Sequence, residues 1–140
     1  MVGINKVNKK GASYQYKLTV LEEHIDALNH VNNVVYVQWV NDIAEKHWSI
    51  LTNEAINKKY FWVLLKHEID YLGQAVLGDE LTIKTQVGKT SGVKSIRYVE
   101  IYKKDKLIIK SQTTWCLIDA STLKPSRIQK DILNTLNNLD

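Results

Sequence analysis

A chain of 140 residues with 44% hydrophobic side chains is long enough to form one globular domain around a real core. One proline and six glycines exclude a long linker or a disordered tail. The formal charge of +4 comes from basic residues dispersed along the chain, which falls short of a nucleic-acid footprint but suits a partner that carries phosphates.

Met1 to Ala12 holds three lysines and no apolar stretch of signal-peptide length, so export is not expected. No apolar run approaches the roughly 20 residues that cross a bilayer, and membrane insertion is not expected either. Tyr14, Tyr16, Leu18 and Val20 alternate with Gln15, Lys17 and Thr19, the period of a half-buried strand. A polar loop from Glu22 to Asn33 follows. Then Tyr36, Trp39, Val40, Ile43, Ala44, His47 and Ile50 recur at helical spacing and predict one helix of about five turns, with Asn32 or Asn33 as its N-cap.

Phe61 to Tyr71 reads as a second strand, with Phe61, Val63, Leu65, Ile69 and Tyr71 on one face. Leu81, Ile83, Thr85 and Val87 alternate with polar residues as a third. Gly88 to Gly92 reads as a hairpin turn into a fourth strand, Val93 to Tyr102. Lys103 to Lys106 turns into a fifth, Leu107 to Ile118, which contains the lone Cys116. That cysteine cannot close an internal disulfide; it reads as a buried, inert thiol in a reducing, cytoplasmic compartment. Pro125 and Ile128 to Leu136 suggest a short terminal helix. The order is strand, long helix, four strands, which is α+β: an antiparallel sheet burying one face on a helix. One helix does not cover five strands, so the remaining edge and face predict a symmetric dimer.

The densest chemistry is Asp26-Ala27-Leu28-Asn29-His30-Val31-Asn32-Asn33. A carboxylate, an imidazole and three carboxamides open directly onto the long helix. A helix start offers unpaired N–H groups and the positive end of the macrodipole, a setting that stabilises negative charge developing on a carbonyl oxygen. No serine or cysteine elbow is present, and no histidine pair has metal-ligand spacing. The ordinary alternatives are plain. Asp26 serves as a turn residue, Asn32 and Asn33 as caps, and His30 as a loop brace. His24, His47 and His67 read as structural or exposed, and Asp42 with Lys46 as a helix-face ion pair.

The element order, with an aspartate in the loop before a single long helix, resembles the hot-dog fold, a five-stranded antiparallel sheet wrapped around one central helix. The stretch Asp26-x-x-x-His30-Val31-Asn32-Asn33-x-x-Tyr36-x-x-Trp39 is similar to the motif of the 4-hydroxybenzoyl-coenzyme A thioesterase-like family and of acyl-(acyl carrier protein) thioesterases. The likeness runs from about Tyr14 to Ile118, within a single domain spanning the chain. It implies hydrolysis of an acyl thioester to a free acid and a thiol carrier, with coenzyme A as part of the substrate and no further cofactor or metal.

In the coenzyme A branch the resemblance makes Asp26 general base or nucleophile, with His30 and Asn33 beside it. Many enzymes of that branch bear a histidine where Asn33 stands. In the carrier-protein branch Leu28 occupies the place of an asparagine, with Asn29 next to it, and Gln74 replaces a later glutamate. The substrate-contact set implied is Asn29, Tyr36, Gln74, Lys89, Thr90, Ser91 and Lys94, with Arg97 as a further carrier contact. A solvated turn is the ordinary reading of Lys89 to Lys94, and core packing that of Trp39, Trp48, Trp62 and Trp115. The resemblance implies a cytoplasmic acyl-coenzyme A thioesterase of lipid metabolism, a homodimer or a tetramer built as a dimer of dimers, with no nucleic-acid or membrane partner. The alternatives are hydrolysis of an acyl carrier protein thioester and non-catalytic binding of an acyl thioester.

Overall fold

Five strands form one antiparallel sheet in the order β1-β3-β4-β5-β2. They are β1 Ser13–Thr19, β2 Tyr60–Tyr71, β3 Glu80–Ser91, β4 Lys94–Lys103 and β5 Lys106–Asp119. The computed structural model describes residues 11–137; the reading of the N-terminal stretch falls, up to residue 10, outside them. β1 and β2 are the two edges of the sheet.

The long helix α1, Asn33–Leu51, starts where the side chain of Asn32 accepts the Val34 N–H. That bond satisfies one of the helix's orphan donors. Tyr36, Trp39, Val40, Ile43, Ala44 and His47 form its buried stripe. The stripe packs on Leu81, Ile83, Val99, Ile101, Ile108 and Ile109 of the sheet. Each such aliphatic side chain contributes about 1.5–3 kcal/mol when fully buried. Ile50 departs from expectation: it is exposed, in the last turn of a helix that ends one residue later, at Leu51.

A second, smaller cluster joins Val87 and Leu117 to Ile132 and Leu136 of the terminal helix α3, Lys130–Leu136. Between α1 and β2 runs a short helix not anticipated, α2, Glu54–Lys59, capped by Asn53. Its Ile56 packs with Trp48, Tyr60 and Trp62 around that second cluster. Asn57 accepts the Trp48 indole N–H at 3.0 Å.

Three local expectations are corrected. The Gly88–Gly92 turn is shorter than its composition suggests. β3 continues through Ser91 with an irregularity between Val87 and Thr90, and Gly92, at φ 66°, supplies the turn conformation. In β2 the register shifts between Leu64 and Lys66. A bulge inserts one residue and reverses the phase, so Phe61, Val63 and Leu65 are exposed while Ile69 packs on the core. Asp42 does not pair with Lys46; its carboxylate takes the Gln38 amide at 2.8 Å.

Candidate active site

The chain enters the site from β1. Val20 exchanges backbone hydrogen bonds with the loop before β3, donating to Asp79 and accepting from Gly78. A single 3-10 turn, Glu22–His24, follows. His24 braces it, with Nδ1 accepting the Leu21 N–H at 2.9 Å and its ring edge-on to Trp39.

Asp26 closes the next turn. Its N–H donates to the His30 carbonyl and its carbonyl accepts the Asn29 N–H. Asn29 lies in the left-handed region at φ 66°, which asparagine tolerates. Oδ1 of Asp26 accepts the N–H groups of Leu28 at 2.8 Å and His30 at 3.3 Å. Oδ2 has no hydrogen-bond partner among the described residues, and the side chain is half-buried. One carboxylate oxygen is therefore anchored by the loop and the other is free.

The helix mouth lies directly beyond. Val34 N–H is taken by the Asn32 side chain and Val35 N–H by the Asn32 carbonyl. The N–H of Asn33 has no partner among the described residues. The expected row of free amides at the helix start is thus reduced by its own cap. Asn32 is the cap, and Asn33, exposed, is the first helical residue.

The loop from 72 to 79 is bound to this mouth from the other side. The Ala75 carbonyl accepts the Val31 N–H at 3.0 Å, and the Ala75 N–H donates to the Tyr36 hydroxyl at 3.1 Å. Tyr36 is 2% exposed, so its hydroxyl acts here as a brace of that loop rather than as an open contact surface. Burial raises its pKa, partly offset by the Ala75 bond. Gln74, next in line, is exposed and shares an open cleft of about 490 Å³ with Lys103, Lys104, Asp105 and Lys106. The sequence marked those lysines only as a turn. Lys103 also pairs with Asp79 at 2.8 Å. Burial alone would raise the Asp79 pKa, but the Lys103 ammonium and the Val76 N–H outweigh it and hold the carboxyl below its ordinary value.

The other proposed carrier contacts lie elsewhere. β3 begins beside Val20 and ends at Ser91, a span of about 35 Å at roughly 3.3 Å per residue. Lys89, Ser91 and Lys94 are exposed at that far end, and the Thr90 hydroxyl bonds Ser95 at 2.7 Å. One chain by itself does not bring these residues to Asp26.

Arg97 is a clear correction. It is 6% exposed, in phase with Ser95, Val99 and Ile101 on the inward face of β4, and not on the surface. Its Nη1 lies 2.8 Å from His47 Nδ1 and donates to Thr85 Oγ1 at 3.0 Å. Tyr14 stacks on His47 at 5.5 Å. Burial first, and the Arg97 charge second, lower the His47 pKa to about 4; the imidazole is neutral near pH 7 and accepts from the guanidinium. His67, half-buried, has its Nε2 2.8 Å from the Ser111 hydroxyl. The inward phase of Arg97 was readable in the alternation around it; its closure over a helix was not.

A long helix packed on five antiparallel strands in this order, with an acid-bearing loop at the helix mouth, defines the hot-dog-fold class of acyl thioesterases. The chain belongs to the thioesterase-like superfamily, whose sequence profile matches residues 20–136. It is similar to the long-chain acyl-CoA thioesterase FadM of Escherichia coli (strain K12), 24% identical over 135 residues that cover 89% of this chain and 98% of that protein. Among solved structures, a predicted thioesterase from Bacillus stearothermophilus superposes with a TM-score of 0.82 at 21% identity, covering 91% of this chain and 96% of that one. The protein SAV2348 from Staphylococcus aureus, determined in complex with CoA, superposes with a TM-score of 0.79 at 19% identity, covering 89% and 82%.

Proposed function

We propose that this protein hydrolyses acyl-coenzyme A thioesters to a free acid and coenzyme A, with Asp26 as the general base on water or as the nucleophile. The observation that carries the reading is the Asp26 carboxylate. Its Oδ1 is tied to the loop backbone and its Oδ2 is free, one turn ahead of the unpaired Asn33 N–H. Water attacks the carbonyl carbon and its proton passes to Oδ2; the carbon–sulfur bond breaks as the tetrahedral oxygen collapses, and the proton on Oδ2 passes to the departing thiolate, restoring the carboxylate. A donor such as the Asn33 N–H, aimed at that oxygen, is worth about 3 kcal/mol in hydrolases where one has been removed. His30, half-buried beside Asp26, orients the loop, and Gln74 with its neighbouring lysines faces the carrier's phosphates. The activity in FadM's name and the CoA bound to SAV2348 support coenzyme A over a carrier protein.

The same reading includes a homodimer through the open edge of β2, supported by the exposed Phe61, Val63 and Leu65 on that strand. A second copy would also offer its own Lys89-to-Lys94 hairpin to the site. Sedimentation of the wild-type protein as a monomer would remove this part.

Hydrolysis of a panel of acyl-coenzyme A esters by wild type and by Asp26→Ala tests the chemistry. A loss of at least about a hundredfold in kcat, of the size seen when a general base is removed, is expected. Undiminished turnover in the variant sinks Asp26 as base. Tight binding of an acyl-coenzyme A that wild type leaves intact identifies a binding protein instead.

A further inference from the structure

Among the described residues, Arg97 is the one cation lining a cavity of about 520 Å³ beside the middle of α1, where β2, β4 and β5 face the helix. Trp48, Trp62 and Trp115 make its wall largely apolar, and Asp26, His30 and Asn33 do not border it. Glu45 is the carboxylate on the same wall; it is exposed, and no ion pair joins it to Arg97. The hydroxyl of Ser95, next to Arg97 on the inward face of β4, is engaged with Thr90.

The Arg97 guanidinium has five N–H groups and no acceptor. Nη1 spends its two on His47 at 2.8 Å and Thr85 at 3.0 Å. Nε and Nη2 have no hydrogen-bond partner among the described residues, and no ion pair there includes them. Among those residues the one fully buried side-chain N or O atom without a partner is Asn41 Oδ1. Nε and Nη2 are therefore not sealed in, and they keep access to the cavity that Arg97 lines. Burial lowers the Arg97 pKa only to about 10, which leaves a full positive charge near pH 7.

A buried charge is ordinarily paired, because an unmatched one is costly to hold away from water. We propose that this cavity is a binding site for a free carboxylic acid with an apolar body, inserted carboxylate first, and that Arg97 receives the carboxylate.

The open edge of the guanidinium decides the ligand class. The Nε N–H and the neighbouring Nη2 N–H are parallel donors, the fork that matches the two oxygens of a carboxylate. A hydroxyl fills one of the two. A thioester offers a single uncharged carbonyl oxygen, so the fork separates a free acid from an acyl thioester as well as from an alcohol. A small inorganic anion meets the charge but leaves the indole wall uncovered. His47, neutral near pH 7, brings no second charge to the guanidinium. The site needs neither a thioester carrier nor turnover, so it stands apart from the hydrolase reading above.

The test is binding of octanoate, octan-1-ol and acetate to wild type and to Arg97→Gln, followed by tryptophan fluorescence, which Trp48, Trp62 and Trp115 report. Wild type is expected to bind octanoate at least about tenfold tighter than octan-1-ol, the equivalent of about 1.4 kcal/mol. Acetate, which lacks the apolar body, is expected to show no saturation in the same range. Arg97→Gln is expected to lose the preference and bind the two longer ligands alike. Octan-1-ol or acetate bound as tightly as octanoate, no saturation with octanoate, or a preference that survives in Arg97→Gln overturns the proposal. The wild-type ranking decides the question if the variant does not fold.

Discussion

The Tyr36 hydroxyl accepts the Ala75 N–H at 3.1 Å, and this one bond ties the first turn of the long helix to the loop that leads into β3. The Ala75 carbonyl is claimed by Val31 at the same mouth. Both backbone groups of a fully buried alanine are thus used to hold the loop carrying Gln74 against the turn carrying Asp26.

Tyr36→Phe removes the acceptor and leaves a buried N–H unpaired, which costs about 1–3 kcal/mol. Chemical denaturation of wild type and variant should show that loss in the midpoint, with the slope unchanged. A midpoint unmoved within error would mean that the loop is held by other contacts.

Gly73 lies in the same loop, where a β-carbon would meet the Ile108 Cγ2 at 2.9 Å. Ile108 is fully buried and has little room to give. Gly73→Ala is expected to lower stability by about 1–3 kcal/mol through overpacking. It should also weaken binding of a coenzyme A ester more than it slows turnover, because the Lys106 stem packs at 3.6 Å on the same position. An alanine variant with wild-type stability and KM would refute that assignment.

His47 sets a pH dependence of stability. Its pKa is lowered in the folded protein to about 4, so between about pH 6.5 and 4 the unfolded chain binds a proton that the folded chain refuses. Stability is fully present above pH 6.5 and declines as pH falls toward 4, by up to about 3 kcal/mol. Arg97, the one charged group among the described residues that contacts the ring, strengthens the refusal. Denaturation measured from pH 7 to 4 should show a shallower decline in His47→Asn, whose amide oxygen can accept the Arg97 bond without titrating. Parallel curves for the two proteins would contradict the assignment.

Much of the fold was readable because it rests on local periodicity. The strands around Tyr16, Ile83 and Val99 and the helix around Val40 each display one apolar phase, and burial against a common core preserves that phase. The strand β2 was legible too, but its buried face was not, because a bulge between Leu64 and Lys66 shifts the phase without leaving a glycine or proline as a marker. The short α2 escaped because its six residues span too little chain for a period to register. At the candidate site, Asp26, Asn32 and Asn33 were legible as a polar cluster before a helix. The anchoring of Asp26 Oδ1 and the use of Tyr36 by Ala75 were not, since both depend on loop geometry and on residues far apart in sequence.

The amino-acid order alone determined the element types, the α+β class and the place where an acid meets a helix start, for these follow from side-chain spacing and cap chemistry. Only the tertiary structure decided that the inward Arg97 meets His47, that the basic ends of the sheet stand about 35 Å apart, and that Asn41 borders an indole-walled cavity. Those facts come from strand register and helix-on-sheet packing, which join residues 50 or more positions apart and leave no periodic trace in the chain.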